Sequence, residues 1–156
     1  MVTQLTVTDV LKKGIQREIE SQRLYTDLSL RMNNPAAKDV LVKLVKEERR
    51  HQDILERYLR GEIKEGMLSR DQVIDYKIAE HLDQPEITPE MKLKDVFLLA
   101  ANREKMSHEF YLSLAEIHPP GQVRRLLEEL AAQELGHKQK VEFLYTEVAF
   151  PQTDGG

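Results

Sequence analysis

Two Glu-x-x-His pairs offer the clearest chemistry in this sequence. Glu48 and His51 form the first pair, Glu134 and His137 form the second, and the offset between them is 86 residues. Residues three apart share one face of an α-helix, so each pair presents a carboxylate and an imidazole together. A single pair arises easily by chance, but two pairs at one offset indicate a metal or catalytic site.

The first pair lies within an apolar helical stripe that includes Leu41, Leu44 and Leu55. This placement directs Glu48 and His51 towards the protein core. Burial of an unpaired charge costs several kcal/mol. We therefore expect the buried carboxylates and imidazoles to have partners of opposite charge.

The 86-residue offset extends beyond the pairs and indicates an internal repeat. The matching positions are Glu18 with Glu104, Ser21 with Ser107, Tyr25 with Tyr111, Leu28 with Leu114, Leu41 with Leu127, and Leu44 with Leu130. Each half thus reads as a helical hairpin whose first helix carries Glu-x-x-Ser-x-x-x-Tyr and whose second carries Glu-x-x-His. Two such hairpins related by a pseudo-two-fold axis bring the four polar faces together.

The repeat predicts a cluster of four carboxylates and two imidazoles. Its members are Glu18, Glu48, His51, Glu104, Glu134 and His137. One Glu from each of two helices and a Glu-x-x-His motif from each of two others is the ligand set of a dinuclear site in a helical bundle. Two divalent ions would neutralise four carboxylates, which without metal would repel one another and take up protons.

The helical periodicity predicts four long helices in one domain that spans residues 1–156. The expected helices cover residues 8–32, 35–60, 88–117 and 122–149. The repeat covers about residues 8–60 and 94–146. The short turns inside each half require the paired helices to be antiparallel.

A long crossover over residues 62–88 connects the halves. Its Ser69–Gln72 stretch predicts a capping box, and Val73, Ile74, Ile78 and Leu82 follow at helical spacing. A short amphipathic helix is therefore expected there. The tail, residues 151–156, is expected to be disordered.

Composition narrows the possible functions. The chain has 156 residues, no cysteine, and a net charge of −4 with both signs interspersed. Disulfides, iron–sulfur clusters and thiol nucleophiles are excluded, and nucleic acid is not an expected partner. The sequence predicts neither a membrane span nor a signal peptide, so a cytoplasmic protein is expected.

The repeated motifs resemble those of the ferritin-like superfamily, in its rubrerythrin-like branch, over roughly residues 8–148. The resemblance implies an all-α, ferritin-like four-helix bundle of two antiparallel hairpins joined by a crossover with a short helix. It also implies two iron ions per chain that react with hydrogen peroxide or dioxygen. Glu18 and Glu104 would be terminal ligands, Glu48 and Glu134 would bridge, and each histidine would bind one metal.

The sequence departs from the rubrerythrin pattern in two places. Rubrerythrins have a further ligand Glu three residues after the third-helix Glu, where this chain has Ser107. They also usually carry a rubredoxin domain, which a chain without cysteine lacks. The electron donor is therefore expected to be a separate protein, and the chain to form a homodimer or a larger homo-oligomer.

Ligand type limits the choice of metal. Mixed carboxylate and imidazole ligands suit iron or manganese, and affinity alone also admits zinc. Redox chemistry requires iron or manganese, so zinc would be only a surrogate.

Three functions fit these features. The first is a di-iron oxidoreductase, and the second is oxidation of ferrous iron for handling or storage. The third is a scaffold bundle that keeps metal only for stability. A bundle whose Glu-x-x-His pairs are plain buried ion pairs would leave Glu18 and Glu104 without partners.

Other polar residues have less specific interpretations. Tyr25 and Tyr111 either fill the core or donate hydrogen bonds to ligand carboxylates. Ser21 and Ser107 are either small neighbours of the metals or hydrogen-bonding groups, and His108 is a helix-interface residue or an extra ligand. Surface positions are expected for His81 and His118, and solvated or ion-paired ones for Glu47, Asp53, Glu56, Glu128, Glu129 and Glu142.

Overall fold

The fold is a bundle of four long helices. The computed structural model describes residues 6–62, 75–82, 84–88 and 90–150. Within them the helices are α1 Val7–Arg31, α2 Pro35–Leu59, α3 Ile78–His81, α4 Leu93–Ile117 and α5 Gln122–Ala149. The main packing partners are α1 with α2 and α4 with α5, which confirms the all-α bundle of two hairpins. None of the helices described here is both long and apolar enough to span a membrane.

Local capping signals fix the ends of the first hairpin. Thr6 and Asp9 form a capping box at the start of α1, with the Asp9 amide donating to Thr6 Oγ1 at 3.1 Å. The Asn34 side chain accepts from the first amides of α2, and Pro35 occupies the first helical position. Gly61 follows α2 with φ of 81°, a conformation that glycine adopts without a steric penalty. The observed boundaries lie within one residue of the predicted helices, 8–32 and 35–60.

The core has two apolar clusters with a polar layer between them. One cluster includes Val10, Leu11, Ile54, Leu55, Leu127 and Leu130. The other includes Leu28, Leu41, Leu44, Val96, Leu99 and Val141. Each long helix contributes to both clusters, and its candidate ligands lie between the two contributions. The apolar layers therefore hold the polar side chains at one level of the bundle.

The start of the third long helix was predicted wrongly. The helix begins at Leu93 rather than at Thr88, and Lys92 before it is extended. The Met91 amide donates to the Thr88 carbonyl at 3.3 Å, which forms a turn instead. Met91 and Leu93 both pack against the second apolar cluster. The extended backbone before the helix therefore places these two partly buried side chains against the core.

The crossover contains a helix, but a shorter one than the periodicity predicts. The proposed capping box, Ser69–Gln72, lies outside the described residues. The described helix has four residues, Ile78–His81, and follows Lys77, whose φ is 53°. Ala79 is buried, whereas Leu82 is 40% exposed. Leu82 therefore does not contribute to the predicted apolar face.

A buried lysine fixes the crossover to α5. Lys138 is 1% exposed, and its Nζ lies 3.0 Å from Glu142 and 3.1 Å from Glu80. Its third partner is Asp75, at 2.5 Å, and the Ala79 amide donates to Glu142 at 2.9 Å. Glu142 is fully buried, so of its two predicted settings the ion-paired one is correct. This lysine occupies the space among three carboxylates where a cation would otherwise bind.

Substitution of this lysine should be costly. Lys138→Met leaves the buried Glu142 carboxylate without its cation, and loss of one partner of a buried pair costs about 3–5 kcal/mol. Since Asp75 and Glu80 remain partly exposed, we expect a loss near the lower end, about 3 kcal/mol. Urea denaturation would measure it. The matched control is Lys140→Met on the exposed side of α5, which should change the stability by less than about 0.5 kcal/mol. Equal effects of the two substitutions would contradict the assignment.

Candidate metal centre

The polar layer contains all six residues that the repeat singled out. Glu18 comes from α1, Glu48 and His51 from α2, Glu104 from α4, and Glu134 and His137 from α5. None of them is more than 5% exposed. The helical spacing of each Glu-x-x-His pair directs both side chains inward, as the apolar stripes predict.

The six side chains form two overlapping groups of donors. Glu18, Glu48, His51 and Glu134 each place one donor atom within 4.8 Å of the others. Glu48, Glu104, Glu134 and His137 form a second group by the same measure. Glu48 and Glu134 belong to both groups. Two neighbouring four-donor groups that share two carboxylates could each hold a metal ion.

Each histidine reaches across to the opposite hairpin. His51 Nδ1 lies 3.0 Å from Glu134 Oε1, and His137 Nδ1 lies 3.3 Å from Glu48 Oε1. The two imidazole rings are nearly parallel, with centroids 5.5 Å apart. Nδ1 of both rings therefore faces the carboxylates, in the arrangement that a pseudo-two-fold axis requires.

The two tyrosines are exchanged between the halves in the same way. Tyr25 on α1 donates to Glu104 Oε1 at 2.8 Å, and Tyr111 on α4 donates to Glu18 Oε1 at 2.5 Å. Both side chains are fully buried. The sequence places each tyrosine near the Glu of its own helix, but each one bonds to the Glu of the other half. The hydroxyls thereby fix one oxygen of each carboxylate and leave the second oxygen for another partner.

Several buried atoms lack a hydrogen-bond partner among the residues described. They are three carboxylate oxygens on the inner side, Glu18 Oε2, Glu104 Oε2 and Glu134 Oε2, and the outer nitrogen of one imidazole, His51 Nε2, all buried. Buried polar atoms are normally paired because an unpaired one costs about 1–3 kcal/mol. Three of the four are carboxylate oxygens within the two donor groups. Divalent cations at these positions would satisfy them, so the residues present fit a metal pair.

Without a cation, burial and mutual repulsion raise the pKa of three of the four carboxylates. Burial and the Glu48 carboxylate raise the pKa of Glu18 to about 8. Burial and the carboxylates of Glu104 and Glu18 raise the pKa of Glu134 to about 7. Burial and the Glu134 carboxylate also raise the pKa of Glu48. Burial acts in the same direction on Glu104, but hydrogen bonds with Glu134 and His137 lower its pKa to about 2.

The histidines respond to the same carboxylates in the opposite sense. Burial alone would lower the pKa of His51 and His137, because it disfavours the charged ring. The carboxylates around each Nδ1 outweigh burial and raise both pKa values well above the usual range. The metal-free layer therefore combines protonated imidazoles with partly protonated carboxylates. Metal binding must displace those protons.

The remaining candidates lie at the edge of the centre or away from it. Ser21 is buried, and its Oγ accepts from Arg103 Nε at 2.9 Å. Ser107 is also buried. His108 Nδ1 lies 2.7 Å from the Ala131 carbonyl, which makes it a helix-interface residue. His118 Nδ1 lies 2.7 Å from the Leu114 carbonyl at the end of α4, so this residue caps its own helix.

Two contacts near the centre were not predicted from the sequence. Glu47 Oε2 lies 3.9 Å from His137 Nε2, although its side chain is 42% exposed. The i,i+4 spacing from Glu47 to His51 could have placed it on the polar face. Arg103, which donates to Ser21, matches Arg17 at the same 86-residue offset, so the repeat itself marked this position.

Comparisons with known proteins agree with this architecture. The sequence model of the family described as Rubrerythrin matches residues 1–80, which is more than half of the chain. No match is found among curated proteins. A solved structure of a hypothetical protein from Pyrococcus furiosus superposes with a TM-score of 0.65 at 22% identity, and the match covers 95% of this chain and 93% of that one. This structural likeness concerns the fold.

The matched segment contains α1 and α2, and hence Glu18, Glu48 and His51. The second hairpin repeats their motifs at the 86-residue offset. A buried carboxylate and histidine cluster that fits a di-iron site completes the correspondence. The chain belongs to the rubrerythrin family.

Proposed function

We propose that this protein is a di-iron oxidoreductase that reduces hydrogen peroxide or dioxygen. The observation that carries the proposal is the pair of four-donor groups that share Glu48 and Glu134. A structural ion-pair network would not require two overlapping sets of inward-facing donors with orphaned oxygens. Two metals held by shared carboxylates are suited to a substrate that has two oxygen atoms.

The ligands follow from the two groups. Glu18 and His51 would hold one iron ion, and Glu104 and His137 the other. Glu48 and Glu134 would bridge the two ions. Two divalent ions balance the charge of the four carboxylates, which accounts for a layer of like charges in the core. Manganese satisfies the same ligand types.

Two iron ions, if bound in the ferrous state, would supply two electrons, which is enough to reduce one peroxide, with two protons, to two water molecules. The chain's own residues position the ligands for this reaction. Tyr25 and Tyr111 hold Glu104 and Glu18 through one oxygen each. The apolar clusters on both sides exclude bulk water, which strengthens the electrostatic interactions inside the layer.

The return of electrons requires a donor besides this helical bundle. The 156 residues contain no cysteine, so they do not supply the ligands of a rubredoxin-type iron centre. We infer that a separate electron-donor protein re-reduces the centre between turnovers.

The proposal predicts a specific stoichiometry. Protein loaded anaerobically with two ferrous ions per chain should consume one peroxide per chain in a rapid two-electron oxidation. The near-ultraviolet absorbance of ferric iron would monitor the reaction. Separate additions of peroxide and dioxygen would identify the preferred oxidant. Sustained turnover should begin only when a reductase and a rubredoxin-like donor are supplied.

Glu134→Ala is the control, because it should lose both iron ions and the reaction with them. Ferrous-loaded wild-type protein that reacts with neither oxidant would refute the oxidoreductase function. Formation of a large, iron-filled shell would instead favour storage, and solution mass distinguishes that outcome.

A further inference from the structure

The ligands of the two candidate metal positions are related by the repeat, but their surroundings are not. Glu47 lies one residue before the shared Glu48, and its equivalent in the second half is Gln133. A carboxylate therefore stands at one position where a neutral amide stands at the other. Glu47 is 42% exposed on its side chain, in contrast to the buried ligands beside it.

The Nε2 atoms of the two histidines, which lie on the outer side of each ring, have different neighbours. His137 Nδ1 faces the carboxylates of Glu48, Glu104 and Glu134 at 3.3–3.7 Å. Its Nε2 lies on the other side of the ring, 3.9 Å from Glu47 Oε2. His51 also faces the carboxylates through Nδ1, but its Nε2 is buried and has no hydrogen-bond partner in the described part of the chain. A Glu47 carboxylate oxygen also comes within 4.8 Å of a ring nitrogen of His51, and the ion-pair contact of Glu47 is the one with His137.

A groove between α2 and α5 lies beside Glu47 and His137. Its volume is about 520 Å³, and its lining includes Glu47 and His137 together with Leu44 and Val141. Lys43 and Lys140 also line it. Lys43 is already paired with Asp39 on its own helix, at 3.0 Å. The Glu47 carboxylate can thus contact the imidazole while it remains hydrated from the groove.

A carboxylate on the outer N–H of a metal-binding histidine has a known effect. It fixes the tautomer and the ring orientation and makes the inner nitrogen a stronger ligand, and its removal costs about 10–100-fold in metal affinity. The 3.9 Å separation exceeds hydrogen-bond length. It lies within the 4 Å N···O limit of an ion pair.

We propose that Glu47 is a positioning residue for His137, and that it makes the metal position on the His137 side bind more tightly than the position on the His51 side. This inference rests on the dinuclear centre of the proposed function. It adds that the two metal positions are unequal although their ligand types are identical. The centre then fills in a fixed order, with the His137 position first.

Cobalt(II) titration of the full chain tests the inference, with binding followed through the visible absorbance of the ion. Wild-type protein should bind two ions in two resolved steps. Glu47→Gln should weaken the first step about 10–100-fold and leave the total at two ions. Glu47→Asp, which retains the carboxylate, should restore part of the difference. Gln133→Glu should strengthen the second step.

Asp53→Asn is the matched control, since it removes the same charge from an exposed position on α2 and should leave both steps unchanged. Crystals grown with one equivalent of cobalt give a direct readout from anomalous scattering. The signal should lie beside His137 in the wild type and be divided between both positions in Glu47→Gln.

The possible failures are distinguishable. Wild-type protein that binds fewer than two ions would overturn the dinuclear centre itself. If wild type and Glu47→Gln both bind two ions, and the two dissociation constants are the same in both proteins, only the role of Glu47 would be overturned. Equal weakening in Glu47→Gln and Asp53→Asn would show a general charge effect, and would overturn it too.

Discussion

Glu48→Ala and Glu134→Ala should each abolish binding of both metal ions, whereas Glu18→Ala and Glu104→Ala should each remove about one. The difference follows from membership of the two donor groups. Glu48 and Glu134 belong to both groups, but Glu18 and Glu104 belong to one each. Loss of a shared carboxylate leaves both positions short of a ligand and with an unbalanced charge.

Elemental analysis of protein prepared with excess ferrous iron under anaerobic conditions would measure this pattern. Asp53→Ala, an exposed carboxylate on α2, should retain the wild-type metal content. Circular dichroism would confirm that each variant folds, which we expect because removal of one carboxylate relieves repulsion in the metal-free core. Two ions retained in Glu48→Ala and Glu134→Ala would disprove the bridged site.

Acidification should have opposite effects on the metal-free and metal-loaded protein. In the metal-free protein, the pKa of Glu18 is about 8 and that of Glu134 about 7, both above the ordinary value of 4.5. A raised pKa means that the folded state binds more protons than the unfolded chain over this interval. The stability of the metal-free form should therefore increase as the pH falls from about 8 to about 5.

Three further titrating groups affect this pH window. The raised pKa values of His51 and His137 act in the same direction. Glu104, with a pKa lowered to about 2, acts in the opposite direction. Its contribution is present above its unfolded value of 4.5 and is lost as the pH falls towards 2. The metal-free protein should consequently be most stable near pH 5.

The metal-loaded protein should behave differently because protons compete with metal for the same ligands. At neutral pH, a free metal concentration of about a thousand times the dissociation constant of a site adds about 4 kcal/mol per site to the free energy of unfolding. For a chain of this size that corresponds to an increase in Tm of about 10 °C or more. This increase should shrink as the pH falls to 5.

Calorimetric melting curves with iron and with a chelator, recorded at half-unit pH intervals, would measure both trends. Glu18→Gln is a useful comparison, since it removes one titrating carboxylate and should flatten the metal-free curve. Superimposable curves with and without metal across this range would refute a metal site at these carboxylates.

The sequence determined the helices and the composition of the candidate centre. Helical periodicity and capping residues are local, so α1 and α2 lie within one residue of the predicted ranges, and α2 begins where Asn34 and Pro35 predict. The 86-residue repeat paired each candidate ligand of the first half with one in the second, because two similar hairpins pack together through similar faces. The apolar stripe of each helix shows which of its side chains point into the core, and no knowledge of the partner helix is needed.

The tertiary structure decided which side chains meet across the hairpins. Tyr25 and Glu104 are 79 residues apart in the chain, and nothing local distinguishes that pairing from one with Glu18. The burial of Lys138 likewise depends on where the crossover crosses α5. The start of α4 depends on the packing of Met91 and Leu93. These contacts are set by the relative placement of whole helices, which arises from burial summed over the entire core rather than from any one stretch of sequence.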